Sequence, residues 1–107
     1  MFQNPQVNYY VNDAEASARF YREAFGFEET FRTPDEGAPI HIEVRLGGLV
    51  LGFATFDSLR DLHGVITYDG PPRSEVAIWT EDVDAAYETL IGGGASSLSP
   101  PHDFLGL

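Results

Sequence analysis

At 107 residues, with 43% apolar and 21% charged side chains, the chain is large enough for one folded core, too small for a second independent one, and outside the composition of disordered chains. Seventeen acidic against six basic residues give a formal net charge of −11, which repels phosphate backbones and anionic headgroups and so excludes nucleic acid and membrane surfaces as partners. The chain has no cysteine, which removes disulfides, thiolate metal sites and a cysteine nucleophile, and its opening Met1-Phe2-Gln3-Asn4-Pro5 lacks a signal-peptide pattern; together with the absence of a membrane-length apolar run, this reads as a cytoplasmic protein.

Val7, Tyr9 and Val11 alternate with Gln6, Asn8 and Tyr10, the period of a strand. Asp13 stands at an N-cap position, and Ala14, Ala18, Tyr21 and Phe25 then form an apolar stripe on a helix that Gly26 ends. A second strand is expected over residues 27–33, followed by the turn Pro34-Asp35-Glu36-Gly37. Ile40, Ile42, Val44 and Leu46 alternate with His41, Glu43 and Arg45 in the clearest amphipathic strand, and Gly47-Gly48 turns it into a fourth strand over residues 49–55.

Residues 56–74 carry no strong period, and Asp69-Gly70-Pro71-Pro72 marks a linker. Beyond it the opening pattern returns. Val76, Ile78 and Thr80 alternate with Glu75, Ala77 and Trp79, Asp82 stands at an N-cap, Val83, Tyr87 and Leu90 make a helical stripe, and Gly92-Gly93-Gly94 stops it. Val7 and Val76, Asp13 and Asp82, Ala18 and Tyr87, and Tyr21 and Leu90 share one offset of 69 residues, the mark of an internal repeat. A short last strand is expected over residues 95–98 before Pro100-Pro101 interrupts pairing. The expected organisation is one module over residues 5–56, a linker over 57–73 and an incomplete second module over 74–107.

Val7-Asn8-Tyr9-Tyr10-Val11-Asn12-Asp13, then Ala18-Arg19-Phe20-Tyr21 and Phe25-Gly26-Phe27, resemble the opening of vicinal-oxygen-chelate proteins, the superfamily of glyoxalases, bleomycin-resistance proteins and extradiol dioxygenases. Thr80-Glu81-Asp82-Val83-Asp84-Ala85-Ala86-Tyr87 is similar to the start of their second module. The resemblance implies an α+β fold of two βαβββ modules in an open, curled mixed sheet, with helices outside, a ligand in the concavity and the second module truncated. It also implies, in the metalloenzymes, four inward ligands, one from the opening and one from the fourth strand of each module. Counting seven residues back from Asp13 and Asp82 places Gln6 and Glu75 at the two opening-strand positions. The fourth strand carries Gly52 instead of a carboxylate, and no His, Cys, Asp or Glu occurs over residues 48–56. Two of four ligands are missing, so no metal cofactor is expected; the alternative is a divalent Zn, Ni, Mn or Fe held by Gln6 and Glu75.

Strand parity turns Gln6, Asn8, Tyr10, His41, Glu43, Arg45, Glu75 and Trp79 towards the concavity, an aromatic and carboxylate lining. These are the candidate ligand-binding residues; no catalytic residue is assigned. Gly92-Gly93-Gly94 follows a helix rather than preceding one, so it is no phosphate loop, and Ser96, Ser97 and Ser99 lack a readable His partner. The expected function is metal-free binding of an aromatic or cationic small molecule, as in bleomycin-resistance proteins. The alternative is a metal-dependent lyase, isomerase or dioxygenase. An incomplete second module leaves apolar surface uncovered, so a homodimer is expected, with exchanged modules as one form of it.

Overall fold

The structure is a computed structural model and describes residues 1–67, 70–71 and 73–103; Asp69 and Pro72 of the expected linker motif lie outside the described residues. The chain divides into two compact units, Met1–Asp69 and Gly70–Leu107.

The first unit runs β1 (Val7–Val11), α1 (Ala14–Phe25), β2 (Glu28–Thr33), β3 (His41–Leu46), β4 (Leu49–Thr55) and α2 (Phe56–His63). Its four strands form an unclosed mixed sheet in the order β1-β4-β3-β2, with β1 parallel to β4 and the other neighbours antiparallel. This is the βαβββ order expected of a first module in an α+β fold. Local chemistry sets the bounds of α1. The extended backbone of Asp13 lets its carboxylate accept the Ala16 N–H at 3.0 Å, and Gly26, left-handed at φ 80°, donates its N–H to the last carbonyls. Gly47, at φ 57°, supplies the positive φ that the two-residue turn between paired Leu46 and Leu49 requires.

The core lies between α1 and one face of the sheet. Ala14 and Ala18 are buried and small, so the helix axis comes close to the strands, and Ile42, Val44, Leu51 and Phe53 project up from β3 and β4. Tyr21 meets Phe53 at 5.2 Å and Phe27 edge-on at 5.4 Å between ring centroids, while Tyr9 stacks on Phe53 at 6.4 Å. Strand pairs Ile42–Phe53 and Val44–Leu51 place these apolar side chains on one face, so that His41, Glu43, Gly52 and Ala54 belong to the other.

A charged network closes the rim between α1 and β2. Arg32 binds both Glu15 and Glu29, and Arg22 reaches the same two carboxylates at 3.5 and 3.0 Å. The Arg32 hydrogen bonds, with its charge and that of Arg22, hold Glu15 and Glu29 below the ordinary carboxylate value, against a smaller opposing effect of burial. A carboxylate whose pKa is depressed on folding stabilises the native state above its unfolded value, and that contribution disappears as pH falls through the folded value. Arg32→Ala is therefore expected to be less stable than the parent at about pH 7, with the gap narrowing below about pH 4.5, the unperturbed carboxylate value. Urea denaturation at a series of pH values checks this; a gap independent of pH would contradict it.

One element was not anticipated. Residues 56–63, where the sequence carries no strong period, form α2, capped by Thr55, whose hydroxyl accepts the Ser58 N–H at 3.1 Å, and closed by left-handed Gly64. Only Leu59 is buried from it. Two turns with one core contact leave too little apolar repetition for a period to show.

In the second unit α3 (Val83–Gly92) forms as expected, and its cap repeats that of α1: Asp82 has φ −134° and ψ 92° against −134° and 98° at Asp13, and accepts the Ala85 N–H at 3.0 Å. The strands expected at Val76, Ile78 and Thr80 and over residues 95–98 are not formed. Alternation supplies one face of a strand but not its hydrogen-bonding neighbour, and among the described residues of this unit no strand exists to pair with. The inward orientation expected of Glu75, Ala77 and Trp79 loses its basis with the strand; both Glu75 and Trp79 are exposed, Trp79 at 90%.

Candidate functional site

The sheet face opposite α1 carries the polar residues. Register places Asn8, Gly52, Glu43 and Phe31 in one row across β1, β4, β3 and β2, and Tyr10, Ala54, His41 and Thr33 in the next. Four side chains meet there. The Gln6 amide donates to Asn8 Oδ1 at 2.9 Å and to Glu43 Oε2 at 3.1 Å, and His41 Nε2 lies 2.9 Å from the same Glu43 oxygen. An ionised carboxylate only accepts, so with Glu43 ionised His41 carries its proton on Nε2 and donates it.

Gly52 is what permits this convergence. A Cβ at its position would lie 2.2 Å from Asn8 Oδ1 and 3.1 Å from His41 Cε1, so the Asn8 carboxamide rests directly over the β4 backbone. Any side chain at residue 52 competes with Asn8 for that space.

His41 and Glu43 are partly shielded, with side chains 22% and 24% exposed, and among the described residues His41 is the only ion-pair partner of Glu43. Among the described residues its negative charge is thus held by one neutral amide and one imidazole, with no guanidinium or ammonium on it. In a chain of net charge −11 that leaves an electrostatic preference for cations and strong hydrogen-bond donors. Tyr10 and Phe31, 37% and 47% exposed, add aromatic surface on the same face, and the Phe31 ring stands 6.0 Å from the His41 ring.

Of the eight candidate residues, Gln6, Asn8, His41 and Glu43 touch one another, Tyr10 shares their face, and Arg45 is further along β3, paired with Val50. Glu75 and Trp79 belong to the other unit. Phe31 escaped the sequence because the register shift between Glu29 and Phe31 breaks simple alternation and turns its ring to the Glu43 side. In the second unit, Ser99 Oγ lies 3.5 Å from His102 Nδ1, but that nitrogen is closer, at 3.1 Å, to the Pro100 carbonyl. A nitrogen that donates its proton to a carbonyl cannot act as a base for the hydroxyl.

The residues do not fit a metal held as the superfamily's metalloenzymes hold it. Gln6 is on the polar face, but Gly52 offers no donor at the fourth-strand position, and Glu75 is on exposed, non-strand chain. Among the described residues no three His, Cys, Asp or Glu side chains come together. A separate shallow hollow of about 540 Å³, lined by Asp13, Ile40, Thr55, Asp61 and Leu62 among others, shares no residue with the cluster; Asp13 and Thr55 there are already engaged as helix caps. The cluster, whose polar groups converge on one oxygen, is the chemically stronger candidate. No helix among the described residues is long and apolar enough to cross a membrane.

Comparison with known proteins agrees with this architecture. Over nearly the whole length, 99% of this chain and 81% of the other, the fold is similar to the hypothetical protein SA1046 from S. aureus, at 20% identity and a TM-score of 0.77. A glyoxalase-related enzyme from Fulvimarina pelagi is 29% identical over 94% of this chain and 70% of its own, with a TM-score of 0.71. A glyoxalase/bleomycin resistance protein/dioxygenase family enzyme from Burkholderia phytofirmans PsJN gives 22%, 94%, 80% and 0.71 for the same quantities. No curated protein matches the chain. The family model described as Glyoxalase/Bleomycin resistance protein/Dioxygenase superfamily matches residues 4–106, and the chain belongs to that superfamily.

Proposed function

We propose that the polar face of the first unit's sheet binds an aromatic or cationic small molecule, without metal or turnover, in the manner of a bleomycin-resistance protein. One observation carries this proposal: among the described residues the Glu43 carboxylate, partly shielded, is held by Gln6 and His41, with Tyr10 and Phe31 beside it on the same face. A cation or N–H donor placed there gains a charge-assisted hydrogen bond, and aromatic faces favour planar or cationic groups. Asn8 and Arg45 extend the polar surface along the sheet.

A thermal-shift screen of cationic and aromatic compounds tests the proposal. A compound present at 100 times its dissociation constant stabilises the folded state by about 2.7 kcal/mol. The expected result is stabilisation of the parent and loss of the cationic hits in Glu43→Gln, which keeps the shape of the side chain and removes its charge. Absence of any hit in such a library would count against it.

The chain is also proposed to self-associate. Ile78, Trp79, Val83 and Ile91 of the second unit are exposed large apolar residues, and a second copy of the chain would bury them. Light scattering is expected to report a dimer, and a monomer at high concentration would contradict it.

A further inference from the structure

We infer that the polar face of the first unit's sheet takes an α-amino acid with an aromatic side chain, its ammonium on Glu43, its carboxylate on Arg45 and its ring against Phe31. The inference rests on the proposal that this face binds aromatic or cationic compounds. It narrows them to dipolar ones by adding a place for an anion at Arg45.

Arg45 differs from the other arginines of its unit. Arg19, Arg22, Arg32 and Arg60 each form ion pairs with carboxylates, whereas Arg45, exposed on β3, forms none among the described residues. Two carboxylates are near it along the sheet: Glu43, two residues back on the same strand, and Glu28, opposite on β2 and exposed. Glu43 is turned to other partners, since its Oε2 takes the Gln6 amide and the His41 ring. Its Oε1 has no hydrogen-bond partner among the described residues. One side of β3 thus presents an open carboxylate oxygen and an unpaired guanidinium as neighbours that do not neutralise each other.

Residues two apart on a strand project to one side and are rooted about 6.8 Å apart. Charge-assisted hydrogen bonds of about 2.7–2.9 Å at each end leave a gap suited to an ammonium and a carboxylate borne on one carbon, with the guanidinium fork taking both carboxylate oxygens. Beside them β4 shows Val50, Gly52 and Ala54 to the same side, so the floor of the face offers no side-chain donor or acceptor in competition. Phe31 lies directly across from Glu43 and is 47% exposed, and its ring favours both an aromatic substituent and the ammonium next to it. A dipolar molecule has no net charge, so the −11 of the chain does not repel it as it repels a simple carboxylate.

The test is calorimetric titration of the full chain with three matched probes: L-phenylalanine, phenethylamine, which lacks the carboxylate, and 3-phenylpropanoate, which lacks the amine. L-Phenylalanine is expected to bind at least about tenfold more tightly than either of the others, because each of them leaves one charged group of the protein without its partner. Arg45→Gln is expected to bring L-phenylalanine down to the level of phenethylamine and to leave phenethylamine unchanged. Glu43→Gln is expected to bring L-phenylalanine down to the level of 3-phenylpropanoate and to leave that probe unchanged. A variant that failed to fold would lose every probe together, so retention of the companion probe separates a lost contact from a lost fold. Phenethylamine bound as tightly as L-phenylalanine, in the parent and in Arg45→Gln alike, would overturn the inference and leave the proposal of a cationic or aromatic ligand standing. Absence of L-phenylalanine binding would overturn it equally. Binding of all three probes untouched by Glu43→Gln would overturn both.

Discussion

Phe53→Ala is expected to lower the stability of the protein by about 3–5 kcal/mol. Phe53 is 3% exposed, stacks on Tyr9 of β1 and meets Tyr21 of α1, so a single ring joins a sheet edge to the helix above it. Its strand neighbours Tyr9 and Ile42 are anchored on the same face and cannot collapse far into the vacated volume. Domains of this size are stable by about 5–15 kcal/mol, so the variant would lose a large part of its margin. Urea denaturation followed by far-ultraviolet circular dichroism measures it; a loss below about 1 kcal/mol would show that the α1 side of the sheet is not the principal core.

Gly52→Ala is expected to behave in the opposite way, with little effect on the fold and a large one on binding. Its new Cβ would lie 2.2 Å from Asn8 Oδ1, the movable end of a side chain, so the carboxamide swings away and the backbone stays. The cost to stability is one exposed hydrogen bond, about 1 kcal/mol or less. Binding at the cluster is expected to weaken at least about tenfold, because Gln6 loses its Asn8 partner and His41 must shift. Gly52→Glu, which places a carboxylate on the fourth strand, is expected to crowd the same space and to bind no better than Gly52→Ala. Thermal shift with a compound found by screening checks both variants. Undiminished binding in Gly52→Ala would mean that the ligand sits elsewhere.

Much of the first unit was legible because its signals are local. Asp13 and Gly26 act within one helical turn, Gly47-Gly48 acts within one hairpin, and β3 alternates without interruption. Two elements failed for opposite physical reasons. The α2 helix lacked an apolar period and is fixed by caps at Thr55 and Gly64, whereas residues 75–80 had the period but no neighbouring strand among the described residues of their unit. Alternation identified which side chains share a face, yet not the register, so the row Asn8–Gly52–Glu43–Phe31 and its hydrogen bonds became visible only with the sheet. Gly52 shows the difference. In sequence it marked a missing ligand; in the sheet it is the gap that Asn8 occupies.

The central claim is that a ligand contacts the face of the sheet turned away from α1, around Glu43. Its most direct test is a backbone-amide and histidine-ring NMR titration with a stabilising compound from the screen. The expected result is that the largest shifts fall on Asn8, Tyr10, Phe31, His41, Glu43 and Gly52, with α1 unchanged. Shifts concentrated on α1 and the Glu15–Arg32 rim, with His41 and Gly52 silent, would contradict it.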